Sequence, residues 1–382
     1  METNDIKVQE PVNLSRATPF EVLASLPVPL RNAQCVVHQQ EILICGGYRT
    51  NDCYSYHIFK NKYKFICSYP NDVTLWGHCV VKLVKNNNPN DITLLSFGGY
   101  NKHTLVMKYV SVWDEEKDGN RDDIKNSKHC NGWIPLVGNS NEPICIGRNK
   151  DYHEGVRAVI GGCNNNLLFI TYLLKNIDVF DLNTFQYIKN ATLPSDNSIM
   201  YHCFINEMML FCDKTGLLIK YNEDNNIFKF TNLRICTTLR LSASYGYICV
   251  NNCILFFGGN NDSENLASKE VYKYSIRDDT WMKFEQNLPN PLTDCVAILS
   301  GDGKDVHIIG GYDGKKTEST HMKTNVKEWM DGETETEKQW IMEEEEKRFI
   351  EEIKLDLDGM KEELDIKKLK VKCFLLFNNL DV

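Results

Sequence analysis

The sequence has no long hydrophobic segment. Its longest apolar run near the C-terminus, Cys373 to Phe377, is far shorter than the roughly 20 residues that a membrane-spanning helix needs. The first ten residues are polar and of mixed charge, so they lack the apolar core of a secretory signal. We therefore expect a cytoplasmic protein without a membrane segment.

The cysteines follow no metal-binding or disulfide pattern, although there are 15 of them. No CxxC pair occurs, and the closest two cysteines, Cys249 and Cys253, have no second ligand pair beside them. Most of the others lie within apolar, strand-like runs. Without a secretory signal we expect them to be reduced and buried, and the sequence predicts no metal site.

An excess of positive charge is also missing, since the formal net charge is −9. Nucleic-acid binding requires a basic stripe that contacts phosphates, and this composition argues against one. No phosphate-binding loop and no HExxH helix is present. These absences predict a chain that is not an enzyme and that binds neither a nucleic acid nor a cofactor.

What the sequence does contain is a repeat. A double glycine follows a short apolar run at four places, with about 50 residues between the first two and again between the last two. These pairs are Gly46-Gly47, Gly98-Gly99, Gly258-Gly259 and Gly310-Gly311. Two similar runs without glycines, Asn166 to Tyr172 and Met208 to Asp213, fill the gap between the second and third pairs. Six repeats are therefore predicted.

Two aromatic residues seven positions apart follow most of the glycine positions. The regular pairs are Tyr56 with Tyr63, Phe180 with Tyr187, Tyr221 with Phe228, and Tyr274 with Trp281. In the second repeat the charged insertion Glu115 to His129 separates Trp113 from Trp133, and in the sixth Met322 precedes Trp329. Polar residues between the partners predict hairpin turns, and the rings supply apolar surface between neighbouring sheets.

A double glycine followed by two spaced aromatics resembles the kelch-repeat family, in which each repeat forms one blade of a propeller. The resemblance covers Arg31 to Trp329 and is weaker in the third and fourth repeats, which lack the glycine pair. It implies an all-β, six-bladed kelch-type β-propeller of four-stranded antiparallel blades over 18–330. A flexible segment, 1–17, is expected before it and a charged helical tail, 331–382, after it.

The same resemblance implies a function. Kelch propellers present their blade-connecting loops to protein partners, so a protein-binding scaffold or adaptor is expected here. The alternative is a propeller enzyme, such as one of the galactose-oxidase type, with a metal held at the channel mouth. That alternative requires three His, Tyr or Asp side chains at metal-bonding distance from one point.

Two segments compete to complete the sixth blade. Phe20 to Pro29 parallels Trp281 to Pro291, which is predicted to contain the outer strand of the fifth repeat and its exit. Phe20 to Leu23 is therefore the favoured closing strand, because it would pair the start of the chain with the last blade and leave no open edge. Val326 to Met330 is the alternative for the same position.

Polar residues stand where the first strand of each repeat begins. They are Gln34, His78, Arg157, His202 and Asp294, with Gly246 at the matching position of the fifth repeat. First strands line the channel of a propeller, so these side chains are predicted either to form a recognition face at its mouth or to satisfy backbone groups and channel water. Arg31, Arg49 and Arg240 would add positive charge that suits an acidic peptide.

The chain after Trp329 has a different composition, rich in Glu and Lys. Ile350, Ile353, Leu357, Met360 and Leu364 alternate at spacings of three and four, which places them on one helical face. Two good heptads are fewer than a coiled coil needs. Three readings stay open, namely a solvated helix on or beside the propeller, a helix over 340–371 that self-associates or binds a partner, and disorder. The run Glu343 to Glu346 is interpreted as a solvated face.

Overall fold

A computed structural model describes residues 18–83, 92–113, 130–138, 140–240, 242–261 and 266–359. Within these residues six antiparallel sheets of four strands form the blades of a β-propeller, as predicted. Segment 1–17, the insertion at 115–129, and Met360 and Leu364 lie outside the described residues. No helix among the described residues is long and apolar enough to cross a membrane.

The first strand, β1, is Glu21–Val22. Blades 1 to 3 follow in chain order, each with its innermost strand first. They comprise β2 (Cys35–His38), β3 (Glu41–Gly47), β4 (Thr50–His57) and β5 (Lys62–Ser68), then β6 (His78–Leu83), β7 (Ile92–Gly98), β8 (His103–Tyr109) and β9 (Ile134–Pro135), then β10 (Arg157–Gly161), β11 (Leu167–Tyr172), β12 (Asn176–Asp181) and β13 (Gln186–Thr192).

Blades 4 to 6 continue the same order. They comprise β14 (Cys203–Phe204), β15 (Met209–Cys212), β16 (Thr215–Asn222) and β17 (Ile227–Leu233), then β19 (Gly246–Val250), β20 (Cys253–Phe257), β23 (Val271–Ser275) and β24 (Thr280–Lys283), then β25 (Val296–Leu299), β26 (Asp305–Ile309) and β27 (His321–Asn325). A small separate sheet contains β18 (Ser242–Ala243), β21 (Asn260–Asn261) and β22 (Leu266–Ala267). The chain then forms a short 3-10 helix, Val326–Trp329, and the helix α1, Glu335–Gly359.

The apolar runs before the glycine positions become the second strands of the blades. Strands β3 and β11 are buried along their whole length, because each blade packs both faces of its inner strands against neighbouring blades. Outer strands are less covered, and β13 alternates exposed and half-buried residues. Between blades 1 and 2, for example, Leu43 and Cys53 share one core with Leu94 and Met107.

The predicted aromatic pairs oppose each other across the third and fourth strands. Their ring centroids lie 5.0 Å apart for Tyr56 and Tyr63, 5.1 Å for Phe180 and Tyr187, 4.8 Å for Tyr221 and Phe228, and 4.9 Å for Tyr274 and Trp281. Blade 2 differs, since Trp113 lies beyond the end of β8 and donates a hydrogen bond to Ser55 Oγ (2.9 Å), whereas Trp133 stacks on Tyr69. Both tryptophans therefore fill the boundary with blade 1.

Each double glycine marks the place where the next blade begins. The first glycine of every pair has a positive φ, for example +66° at Gly258 and +60° at Gly310. A Cβ at Gly258 would lie 2.1 Å from the carbonyl oxygen of Leu292, and one at Gly310 would lie 2.3 Å from that of Leu30. The segment that enters the following blade thus packs directly against the glycine and leaves no room for a side chain. A fifth pair, Gly161-Gly162, was left out of the count of four made from the sequence. It lies in the third repeat but has another position, because it ends the first strand β10.

The ring is closed by the N-terminal strand, as favoured from the sequence. Strand β1 pairs antiparallel with β27, Glu21 opposite Lys323 and Val22 opposite Met322. The competing segment is the 3-10 helix that ends at Trp329, and it takes no place in the sheet. The sixth blade therefore combines three strands from the end of the propeller with one from its beginning.

Helix α1 lies against the outer strand of blade 5. Its docking face differs from the apolar face that the sequence suggested, since Ile350 and Leu357 are exposed. The interpretation of Glu343 to Glu346 as a solvated face is wrong at Glu344, which is 1% exposed and forms an ion pair with Arg234 (2.7 Å). The helix is held mainly by polar contacts: its glutamates bind Arg234 and Arg240, and Arg348 donates to the Asp279 carbonyl (2.9 Å).

Candidate functional site

The innermost strands of the blades surround a central channel. Strands β25, β2, β6, β10 and β14 lie side by side in that order, and β19 lies beside β25. A cavity of about 280 Å³, here called the channel cavity, lies between them. Cys35, Cys79, Ala158, Tyr247 and Ala297 line it and represent five of the six blades.

A second cavity of about 440 Å³, here called the mouth cavity, opens at the end of the channel where the second strands terminate. Its walls come from the loops before the first strands and from the residues that follow three of the double glycines. Residues lining it include Arg31, Asn32, Tyr48, Trp76, Glu154, Tyr201, Ser244, Asp294 and Tyr312. This opening is where a ligand would meet side chains from nearly every blade.

Arginines and aromatic rings alternate along one side of the mouth, and we call this set the mouth row. The guanidinium carbon of Arg31 lies 4.3 Å from the ring centre of Tyr48 and 4.9 Å from that of Tyr312, and Arg49 lies 5.1 Å from Tyr48 and 5.7 Å from Trp76. Trp76 in turn stacks on Tyr100, with 5.2 Å between ring centres. Cation–π contacts of this kind hold guanidinium groups in fixed positions.

Arg31 contacts two tyrosine rings, but one of its hydrogen-bond donors has no acceptor in the described part of the chain. Its Nε is buried and has no hydrogen-bond partner among the described residues, which is an energetically costly state for a charged donor. Asp294 lines the same cavity. Burial raises the pKa of that carboxyl, and the positive charges of Arg31 and Arg157 partly oppose the rise.

The opposite side of the mouth is more mixed in charge. Glu154 accepts a hydrogen bond from the Tyr201 hydroxyl (3.2 Å), and Arg157 lies 5.8 Å from the Tyr201 ring centre. The Arg157 Nη1 also donates to the carbonyl of Val156 (2.9 Å). A bound segment would therefore meet cations and rings on one side and acceptors on the other.

Four of the six predicted first-strand positions reach the channel. Gln34, Arg157, Gly246 and Asp294 line the channel cavity, and Asp294 also lines the mouth cavity.

The prediction is wrong for His78 and His202, which are fully buried inside the blades. His78 Nε2 is 3.0 Å from the carbonyl oxygen of Cys45, and His202 Nε2 is 2.6 Å from Thr171 Oγ1. Burial lowers the pKa of His78 to about 3 and that of His202 well below its usual value. Both imidazoles bond to polar groups of the preceding blade. His78 contacts a backbone carbonyl, as the alternative held, whereas His202 contacts a side-chain hydroxyl.

The three arginines named from the sequence lie in two different parts of the structure. Arg31 and Arg49 belong to the mouth row, whereas Arg240 binds Glu351 of α1 through Nη1 (2.6 Å) and Nη2 (2.5 Å). Sequence reasoning missed Tyr48, Trp76, Tyr100 and Tyr312. For the three tyrosines the signal was present, because a tyrosine directly follows the double glycine in three of the four repeats in which the pair comes after the second strand. No such signal marks Trp76.

Several cysteines face the channel, and burial makes their thiols poor nucleophiles. Cys35, Cys79 and Cys295 line the channel cavity, and burial raises their pKa values to about 12, 11 and 12. All cysteines within the described ranges are free. In the same residues no three His, Cys, Asp or Glu side chains are placed to hold a metal ion.

Comparison with known proteins supports the fold. No family model and no curated protein matches the sequence. The structure is similar to that of YjhT, with a TM-score of 0.55 and 13% sequence identity, over 78% of this chain and 96% of that chain. At this identity the likeness bears on the architecture alone. The chain has the fold of a six-bladed β-propeller.

Proposed function

We propose that this chain is a kelch-type interaction scaffold, located in the cytoplasm, that binds an exposed segment of a protein partner at the mouth of its channel. The observation that carries the proposal is the mouth row. Arginine, tyrosine and tryptophan are the residue types enriched at the energetic centres of protein interfaces. Here they come from three different blades and contact one another.

The chemistry of the row favours an acidic side chain in the partner segment. Arg31 is held between two tyrosine rings and has a buried donor without an acceptor, and Arg49 is exposed. A guanidinium fixed in this way can bind a carboxylate through two hydrogen bonds at little cost in side-chain entropy. The exposed ring of Tyr100, 64% accessible, supplies apolar contact beside it.

The alternative is a metal-dependent propeller enzyme, which requires three His, Tyr or Asp side chains close together. Among the described residues no three His, Cys, Asp or Glu side chains are placed to hold a metal ion. The mouth row is the observation that favours the scaffold.

The test is affinity capture from the native cell with the full chain and with two mouth variants, Arg31→Ala and Trp76→Ala. A partner bound at the mouth should be recovered by the unmodified chain and lost with both variants. Phe59→Ala and Arg277→Ala are matched controls, because both residues are exposed in turns between third and fourth strands, at the opposite end of their blades. Partners retained by the mouth variants and lost by the controls would contradict the proposal.

A further inference from the structure

The helix α1 presents three glutamates to the propeller at a regular spacing. Glu337, Glu344 and Glu351 are seven residues apart, which puts them on one face of the helix at intervals of about 10.5 Å. Glu337 binds the end of blade 5, whereas Glu344 and Glu351 share Arg234 in the segment between blades 4 and 5. This periodic set of carboxylates was not recognised in the sequence, where the apolar residues of the helix gave the stronger pattern.

The first glutamate ties the start of the helix to blade 5. Glu337 Oε2 accepts a hydrogen bond from the Thr334 backbone N–H (2.9 Å), and the Glu337 N–H donates to Thr334 Oγ1 (3.2 Å). This reciprocal pair is a capping box. The other oxygen of Glu337 accepts from the backbone N–H of Glu285 (3.1 Å), just after the outer strand β24.

The other two glutamates bind the segment between blades 4 and 5. Glu344 Oε1 accepts from the Thr237 N–H (2.8 Å) and hydroxyl (3.1 Å), and it lies 2.7 Å from Arg234 Nη2. Glu351 takes two hydrogen bonds from Arg240 and one from Arg234 Nε (2.9 Å). Burial alone would raise the pKa of Glu351, but the hydrogen bonds from the two arginines outweigh it and lower that pKa.

The arginine-bearing segment is held in place without the helix. The carbonyl of Arg234 accepts from the Trp281 indole N–H (2.7 Å), and Arg240 Nε donates to the carbonyl of Ile235 (2.9 Å). Ile235 and Leu239 are buried in the core between blades 4 and 5. The two hydrogen bonds do not involve α1, although Trp340 of α1 packs against the same core. The site is therefore built mainly by the propeller, and a site formed in advance loses little entropy on binding.

Apolar contacts contribute little to the docking of the helix. Trp340 and Ile341 pack on the propeller near the start of α1, whereas Met342, Ile350, Leu355 and Leu357 are exposed. The connection to the propeller, from Asp331 to Glu333, is exposed and outside any helix or strand. The ion pair of Glu351 with Arg240 is partly exposed, 31% and 27%, whereas Glu344 is buried against Arg234. Salt and water compete for the exposed pair, so the C-terminal half of the helix is released more readily than one docked through buried apolar surface.

We propose that the propeller has a binding site for an acidic helix whose glutamates are seven residues apart. The site consists of Arg234, Thr237 and Arg240 with the adjoining outer edge of blade 5. Helix α1 occupies this site, and an acidic helix of the same kind from a partner protein displaces it. This site lies on the side of the propeller and does not depend on the mouth. Its partner is defined by charge complementarity, a carboxylate for each arginine at the spacing that α1 shows. Release of α1 would also uncover the edge of β24, which is available for pairing once exposed.

The experiment uses the full chain and a labelled synthetic peptide with the sequence from Glu335 to Gly359 as the probe. The double variant E344Q/E351Q weakens the resident helix without touching the site, so it should bind the peptide at least about tenfold more tightly than the unmodified chain at low salt. The matched control is E343Q/E346Q, which removes the same charge from exposed positions of the same run and should behave as the unmodified chain. Adding R240Q to E344Q/E351Q should abolish peptide binding.

Hydrogen exchange on the folded protein gives a second readout. In E351Q, where the changed residue is partly exposed, the amides of α1 should exchange faster while those of the blade strands do not change, and this variant serves if the double variant fails to fold. Unaltered α1 exchange in E351Q, or peptide binding that survives R240Q, would overturn the proposal. A dimer of the unmodified chain that R240Q dissociates would overturn it as well, by assigning the site to a second copy.

Discussion

The ring of Phe20, near the beginning of the described chain, lies 5.6 Å from the indole of Trp329 at the end of the propeller. The same indole contacts Phe257 (5.6 Å) and Phe284 (4.9 Å) of blade 5. The two ends of the ring therefore meet in one aromatic cluster. This packing explains how β1, with two residues, can complete blade 6, because the side chains before and after it supply contacts that its few ladder hydrogen bonds cannot.

Phe20→Ala should accordingly destabilise the whole propeller. Removing a buried phenyl side chain typically lowers the free energy of unfolding by about 3 to 5 kcal/mol. Here the lost contacts are those that join the two ends of the propeller. Urea unfolding followed by tryptophan fluorescence measures the change. Val22→Ala, on the same segment but 76% exposed, is the control and should leave the midpoint nearly unchanged. Equal effects of the two substitutions would show that Phe20 does not carry the closure.

The architecture was predictable because the propeller repeats its signals. The apolar run before each of the four glycine pairs used to find the repeat forms a buried second strand, and the regular aromatic pairs meet across the outer hairpin. Even the closing strand could be found, since Phe20 to Pro29 copies the exit of the fifth repeat. Repetition lets several weak local signals be averaged, which a single strand does not allow.

The site was less predictable because it depends on which way single residues face. His78 and Arg157 align in sequence, yet His78 turns into the blade and Arg157 lines the channel. In α1 the apolar periodicity indicated one face, but Arg234 and Arg240 select the carboxylate face instead. A pattern within one element cannot report charges that a distant loop supplies.

Gly258→Ala and Gly303→Ala should separate steric conflict from backbone strain. Both glycines have positive φ, +66° and +73°, so each alanine costs about 1 to 2 kcal/mol of conformational strain. A Cβ at Gly258 would also lie 2.1 Å from the Leu292 carbonyl oxygen, whereas nothing lies within 4 Å of one at Gly303. We expect Gly258→Ala to lower the free energy of unfolding by about 2 kcal/mol more than Gly303→Ala. Equal losses of unfolding free energy in the two variants would mean that the entry segment of blade 6 moves away from the added methyl group at no cost, which would contradict the prediction.

Two arginine–aspartate pairs of opposite burial should respond differently to truncation. Arg148 Nη2 lies 2.6 Å from the carboxylate of Asp178, which is 0% exposed, so Arg148→Ala leaves a buried carboxylate without its cation. Losses of about 3 to 5 kcal/mol are typical of that situation. Arg277, 86% exposed and 4.0 Å from Asp278, should tolerate the same change without a measurable loss. Thermal unfolding of the two variants makes the comparison, and similar melting temperatures would contradict it.

Six histidines that are buried or nearly so should make the propeller sensitive to acid. Burial lowers the pKa of His103, His153 and His307 to about 4 and of His78 to about 3, and His202 and His321 are shifted in the same direction. In the unfolded chain a histidine has a pKa of about 6.5, so the unfolded state takes up protons first as the pH falls. The stability that these neutral side chains contribute is complete above about pH 6.5 and is lost progressively towards about pH 4.

His202→Gln tests both this pH dependence and the placement of His202 inside the blade. Glutamine can still hydrogen-bond to Thr171, whose Oγ1 is 2.6 Å from His202 Nε2, but it does not titrate. Each histidine with a strongly lowered pKa adds a slope of up to about 1.4 kcal/mol per pH unit to the free energy of unfolding. Urea unfolding at several pH values between about 7 and about 5 should therefore give a shallower slope for the variant, by up to that amount. Capture of the mouth-bound partner should be unaffected, because the imidazole does not reach the channel; an unchanged slope together with lost capture would place His202 at the mouth after all.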